Sequence, residues 1–238
     1  MTEGNVAAAG WLDLYDWRRR VAELYREREA ALRLGTDGSA VLAQFRAARD
    51  ALFTQHPQSP LEAAARSHFS GLRYFAYEPA LSVQATLEPL ELDDAEQGTD
   101  APTSQPGGAD AMPLRRAARV QFTVDNVPAV LTLYWIDVYG GGLFLPFRDA
   151  TCPDESYGAG RYLCDTAKGS DFLRLDDSGA IVDASAWGQG YSGGRVVLDF
   201  NYAYNPSCAY DPRWLCPLAP RENWLPLPIR AGERKYLA

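Results

Sequence analysis

The sequence is poor in the groups that carry most proton-transfer and metal chemistry. Among 238 residues there are two histidines, His56 and His68, and four cysteines. Each histidine stands at the end of a predicted helix, a place for capping or solvent contact. The cysteines, Cys152, Cys164, Cys208 and Cys216, lack the close CxxC pairs of common zinc sites and have no histidine near them in sequence. A four-thiolate metal centre is not expected, and neither is a cofactor. Lysine is almost missing too: 21 of the 23 basic residues are arginine, and only Lys168 and Lys235 are lysine. Acidic residues outnumber basic ones, 31 to 23, for a net charge of −8. That balance argues against a nucleic-acid partner, which calls for an extended basic face, but leaves room for a local basic pocket. No apolar run approaches the roughly 18 residues of a membrane span. The opening "MTEGNVAAAGWLDLYDWRRR" lacks the basic start and apolar core of a secretory signal. The expectation is a cytoplasmic protein whose thiols are reduced and buried, with a Cys208–Cys216 disulfide as the alternative. No GxSxG, HExxH, P-loop or GxGxxG occurs; "YGGGLF" and "GQGYSGG" lack the strand-to-helix context of a phosphate cradle and read as turns.

What is present is apolar and aromatic. Hydrophobic residues make up 47% of the chain, with six tryptophans and thirteen tyrosines, enough for one main domain with a sizeable core. Residues 11–34 place Trp11, Leu14, Val21, Leu24, Tyr25 and Leu32 at mostly three- and four-residue intervals, the spacing of an amphipathic helix. A second helix is predicted from Ala40 to Thr54. A third is predicted after "SPLE", where Ser59, Pro60 and Glu62 have the order of a capping box, and should run to about Phe69. From Tyr74 the period falls to two. "RVQFTVD", "AVLTLYWIDV", "GGLFLPFRDA", "DFLRLDD" and "GRVVLDFNYAY" read as strands, separated by turns of which "GGG" at 140–142 and "DDSG" at 176–179 are the clearest. The fold class expected is α+β, mostly β: a helical segment, residues 1–72, packing on the body of a β-rich domain, 73–238, whose antiparallel sheet curls into a barrel or sandwich. A flexible acidic insertion is expected at 91–113, and the proline-rich C-terminus should wrap irregularly over the sheet, with "IRAGERKYL" a candidate last strand.

Polar residues gather where strands end. Along "GGLFLPFRD" alternation turns Arg148 away from Phe147 and Asp149, so one of the charged pair should point inward. Gly158 and Gly160 surround a turn that delivers Arg161 and Tyr162. In "RVVLDFNYAYN" the Val196, Leu198, Phe200, Tyr202 and Tyr204 face is core, and Asp199 and Asn201 share the other face about 7 Å apart, close enough to grip one polar object. Arg148, Tyr157, Arg161, Asp199, Asn201, Tyr204 and Asn205 are therefore candidate ligand-binding residues, with Asn223 and Arg230 reaching back from the C-terminal wrap. Guanidinium forks and phenols suit a small anionic or polyhydroxylated, sugar-like ligand. Two other readings stand beside this one. A hydrolase would use Asp199 or Asp149 as base and Arg161 to steady negative charge; a scaffold without ligand would use the first helix as a partner-binding arm, or simply pack it at home.

"FRDATCPDESYGAGRYL", followed by "LDFNYAYNPSCAYDPRWLCPLAPRENWLPLPIRAGE", resembles the bacterial and archaeal family of domain of unknown function 1684. "HPQSPL" and "FSGLRYFAYEP" are similar to its N-terminal half. The resemblance spans the chain from about Trp17 onward, implies no established activity, and includes Cys208 and Cys216 in its motif. The acidic stretch at 91–113 and "KGSDFLRLDDSGAIVDASAWGQGYSGG" read as insertions relative to it.

Overall fold

The computed structural model describes residues 3–90, 99–101, 112–171, 174–175 and 194–237. Helix α1, Glu3–Arg33, starts upstream of the apolar periodicity, and α2, Gly38–Gln55, follows a break at Gly35, whose φ is +78°. Asp37 caps α2 through Oδ1, which accepts the Ala40 amide at 3.0 Å. Val41, Phe45, Arg49 and Phe53 recur every four residues along α2 and are all buried. The predicted third helix shrinks to one turn, α3, Ala63–Arg66, with Glu62 and not Ser59 at its N-cap. The capping box fails because Leu61 is pulled to full burial beside Phe53 and Tyr210, and the Pro60 carbonyl accepts the Trp214 indole N–H. A helix through Pro60 and Leu61 would lose both contacts.

The strands β1 (Ser82–Pro89), β2 (Thr99–Ala101), β3 (Met112–Val124), β4 (Val127–Ile136), β5 (Gly142–Phe147), β6 (Arg161–Asp165), β7 (Arg174–Leu175) and β8 (Gly194–Asp199) form one antiparallel sheet. Its order is β6-β5-β4-β3-β1-β8-β7, with β2 also on β3. This is an open, curled sheet carrying N-terminal helices, an α+β fold as the pattern of periods implies. The β3–β4 hairpin turns through Asp125 and Asn126, both at positive φ, the conformation that matches the right-handed twist of the flanking strands. β1 and β6 are strands that alternation alone did not single out. β8 is shorter than "GRVVLDFNYAY" suggests: it ends at Asp199, which caps a 3-10 turn over Phe200–Tyr202.

Part of the predicted acidic insertion is ordered, since β2 pairs Thr99 with Leu114 and Ala101 with Met112. Residues 91–98 and 102–111 lie outside the described residues, as do the "DDSG" turn and most of the second insertion. Val21 and Tyr25 of α1 and Leu42 and Phe45 of α2 share one apolar core with Val83, Val120, Leu131 and Leu198 of the sheet. The first helix thus packs at home. The C-terminal wrap follows the sheet edge: Leu225 donates to the Arg148 carbonyl at 2.7 Å and Ala150 to the Leu227 carbonyl at 3.1 Å. The candidate last strand reduces to a single bridge between Tyr74 and Glu233.

Candidate functional site

The strand-end residues sort into a sealed centre, a separate clasp and a cleft. Arg161 leaves its turn through Gly160, at φ +97°, where a Cβ would come within 2.4 Å of the Phe147 carbonyl oxygen; only glycine fits. Arg161 itself is fully buried. Nη1 donates to the carbonyls of Ala231 and Glu233, and Nη2 to the Ile229 carbonyl at 2.8 Å and to Asp149 Oδ1 at 3.1 Å. Asp149, 1% exposed, is itself saturated: its Oδ2 accepts the Ile229 amide at 2.7 Å and the Thr151 amide at 3.2 Å. The fork grips alternate carbonyls of the C-terminal wrap and holds that segment against β5 and β6.

Asp199 and Asn201 form the clasp. The chain turns after β8, so the two side chains meet: Asn201 Nδ2 donates to Asp199 Oδ1 at 3.0 Å, and the Asn201 amide does so at the same distance. Asn201 also pairs with both the amide and the carbonyl of Glu78, at 2.9 Å each. Burial pushes the Asp199 carboxyl up, and the bonds from Asn201 oppose that rise. The pair reads backbone where a ligand was expected.

Neither carboxylate offered as a base for hydrolysis meets that role. Asp149 is sealed beneath Arg161, and Asp199 lines neither of the hollows described below. Arg148 lies over the Trp224 ring, 4.5 Å from its centroid, with Nε on the Gly158 carbonyl. Tyr157 points its hydroxyl at Cys208 Sγ, 3.7 Å away. Asn223 is fully buried and stitches β4 to β5 through the Thr132 amide and carbonyl and the Pro146 carbonyl. Arg230 forms a surface ion pair with Glu155. The seven candidates therefore do not surround one hollow.

Tyr204 and Asn205 do reach a cleft, and they meet residues there that the sequence reading passed over. The cleft is about 50 Å³, lies between α1, α2 and the segment after β8, and is lined by Trp17, Arg49, Phe53, Lys168, Ser170, Tyr204, Asn205, Ser207 and Tyr210 among others. Glu233 joins it to the sealed centre. Its carbonyl takes Arg161, while its buried carboxylate takes Arg49 Nε at 2.9 Å, the Asn205 amide at 2.6 Å and the Tyr210 hydroxyl at 2.5 Å. Burial first, and the Glu233 charge second, push the Tyr210 phenol well up, so it stays protonated and donates. Arg49 engages Glu233 through Nε; its guanidinium lies 5.1 Å from the Tyr204 centroid and 4.9 Å from that of Phe53. Lys168, 45% exposed at its side chain, stands 3.4 Å from Asp165. Tyr204 Oη and Ser170 Oγ are hydrogen-bonded to each other at 2.5 Å. Asn205 Nδ2 holds the Arg234 carbonyl at 2.9 Å, and its Oδ1, though buried, accepts no hydrogen bond.

One signal could have found Arg49. It occupies the place in the four-residue register of α2 where an apolar side chain belongs, between Phe45 and Phe53. A larger groove, about 600 Å³, runs between α1 and α2, but its Asp16 is already taken by Arg19, Arg20 and His56. His56 receives the Gln58 amide on Nδ1, which leaves Nε2 to face Asp16. Among the described residues no three His, Cys, Asp or Glu side chains group as metal ligands, and no helix is long and apolar enough to cross a membrane.

No curated protein matches the chain. Among solved structures, it is similar to the solution structure of an uncharacterised protein from Haloarcula marismortui, with 29% identity, a TM-score of 0.53, and coverage of 81% of this chain and 91% of that one. The matched family is described as protein of unknown function, DUF1684, and its profile spans residues 67–234, which takes in β1 through β8, the sealed centre and Lys168, Tyr204 and Asn205 of the cleft. With most of its length inside that match, the chain belongs to the DUF1684 family.

Proposed function

We propose that the protein binds a small hydroxylated anion in the cleft between Arg49, Lys168, Tyr204 and Asn205. The observation that carries this reading is a set of polar side chains, their capacity only partly taken, around one small space. Arg49 meets Glu233 through Nε, so its terminal nitrogens remain as donors; Lys168, paired on one side with Asp165, adds a second cation; and Asn205, which also lines the space, has a buried Oδ1 that lacks a donor. A buried carbonyl oxygen without a donor costs roughly 1–3 kcal/mol, so an O–H supplied by a guest would recover a real loss. Volume limits the guest. About 50 Å³ holds a few water-sized groups, since one water needs about 10–15 Å³ on this measure. Phosphate or a two- to three-carbon hydroxy acid is of that size, whereas a hexose is not.

The aromatic walls of Trp17, Phe53 and Tyr204 lower the local dielectric and so strengthen the pull of the two cations on the anion. The test is calorimetric titration and thermal shift with phosphate, glycolate, acetate and glucose. Phosphate or glycolate should bind, acetate should bind more weakly than glycolate for want of a hydroxyl, and glucose should be silent. Lys168→Met should weaken binding about 5–10-fold, equivalent to about 1–1.4 kcal/mol. Silence toward every anion, or affinities untouched by Lys168→Met, would overturn the reading.

A further inference from the structure

Cys208 and Cys216 lie behind the cleft, and neither the cleft nor the sealed centre uses their sulfurs. Cys208 sits in the 3-10 turn Ser207–Ala209 and is half-buried, whereas Cys216 is 1% exposed. The Cys208 amide donates to Cys216 Sγ at 3.3 Å, and the two thiols share a hydrogen bond. Tyr157 adds its hydroxyl to Cys208 Sγ at 3.7 Å. The other two thiols face oxygen: Cys152 meets Asp149 and Ser156, and Cys164 meets the Leu143 and Ser170 carbonyls. Only one pair is placed for sulfur–sulfur chemistry among the described residues.

We propose that Cys208 and Cys216 form a reversible dithiol–disulfide couple, with Cys208 as the attacking sulfur and Cys216 as the resolving one. The two positions differ in the way such a division of labour requires. Cys216 is sealed at 1% exposure, and the hydrogen bond to Cys208 and then burial push its thiol up, which makes it the less ready of the two to open the exchange. A thiolate formed at Cys208 is stabilised by the Tyr157 hydroxyl that donates to it, and Cys208 is the more exposed residue of the pair.

With a low-molecular-weight disulfide as oxidant, the Cys208 thiolate attacks one of its sulfurs. The oxidant's S–S bond breaks and one small thiol leaves as its thiolate, taking the proton that Cys208 gave up. Cys216 then attacks the Cys208 sulfur of the mixed disulfide and expels the second small thiol, which takes the Cys216 proton. Two electrons have passed from the protein sulfurs to the oxidant, giving one internal disulfide and two small thiols. The inference does not rest on anion binding, although the loop so closed carries Tyr210, a wall of the cleft.

The experiment treats the reduced protein with oxidised glutathione over a range of ratios to reduced glutathione, followed by alkylation under denaturing conditions and mass mapping. Trypsin cuts after Arg213, inside the loop, so the disulfide is read as two fragments held together. Wild type should lose two alkylatable thiols, Cys208 and Cys216, and melt roughly 5–10 °C higher when oxidised, as closure of a loop this short implies. Cys216→Ser should accumulate glutathione on Cys208, and Cys208→Ser should take none at position 216. Four free thiols at every ratio, or bridges that use Cys152 or Cys164, would overturn the proposal, and that reading needs only the wild-type protein. Glutathione trapped on Cys216 in Cys208→Ser and not on Cys208 in Cys216→Ser would overturn the assignment of roles.

Discussion

Arg161 and Arg49 are both buried, both stack on aromatic rings and both touch Glu233, yet they sit in opposite situations. Arg161 meets a carboxylate and three backbone carbonyls in a space with no opening. Arg49 meets one carboxylate oxygen and looks out into a cleft beside Lys168 and an oxygen without a donor. The residue type is the same. What separates architecture from a binding site is how many of the guanidinium donors the protein itself occupies. A charge-assisted fork whose terminal nitrogens are taken by a carboxylate and three backbone carbonyls fixes a chain segment, while a partly engaged fork has capacity left for a guest.

Four substitutions would break or sharpen this contrast. Arg161→Ala should have the largest effect, because it strands Asp149 and three carbonyls in the interior; about 3–5 kcal/mol of unfolding free energy should be lost, read by urea denaturation. A cost as small as that of a surface substitution would erase the distinction between the two arginines. Asn223→Ala removes the three hydrogen bonds that tie β4 to β5 and should cost about 2–3 kcal/mol in the same assay. Lys168→Met should cost about 1–2 kcal/mol, since Lys168 is 45% exposed but the Asp165 carboxylate it leaves behind is only 3% exposed. It should also weaken anion binding, which is the signature expected of a cleft residue and not of the sealed centre.

The smallest effect concerns pH. The folded Asp199 carboxyl is raised by burial, so the folded state holds its proton more tightly than the unfolded chain does. Its contribution to stability is present in acid, below the unfolded carboxylate pKa, and is lost as pH rises through the folded value. Asp199→Asn retains the cap and removes that dependence. The variant should gain on wild type as pH rises through the carboxylate range, measured as the difference between two denaturation midpoints; a gain on acidification would contradict the burial argument.

Much of the fold was legible because it follows from periodicity. The stripes of α1 and α2 and the alternation of β3, β4 and β5 identify their own buried faces, and the α+β class follows from the order of the periods. The site was less legible. Asp199 and Asn201 were placed on one extended face, but Asp199 caps a 3-10 turn and the strand stops there, a local choice that alternation does not register. Capping logic put a helix start at Ser59, where burial of Leu61 prevailed. Strand-end arginines looked equivalent in sequence; Arg148 stacks on Trp224 at the surface while Arg161 is sealed, a difference decided by where the C-terminal wrap lies. Arg49 had left a trace, a charged residue in the apolar register of α2, and the same reasoning applies to Arg28, which lies buried on α1 alongside Val21 and Tyr25.

The grip of Arg161 on Ile229, Ala231 and Glu233 also sets an order of events during synthesis. When β8 has left the ribosome every strand among the described residues exists, yet the guanidinium still has no carbonyls to hold and Asp149 still awaits the Ile229 amide. The nascent molecule must keep that charged pair wet and its sheet edge uncovered until residues 229–233 arrive. Closure of the β5–β6 edge thus waits for a segment 68 residues downstream of Arg161.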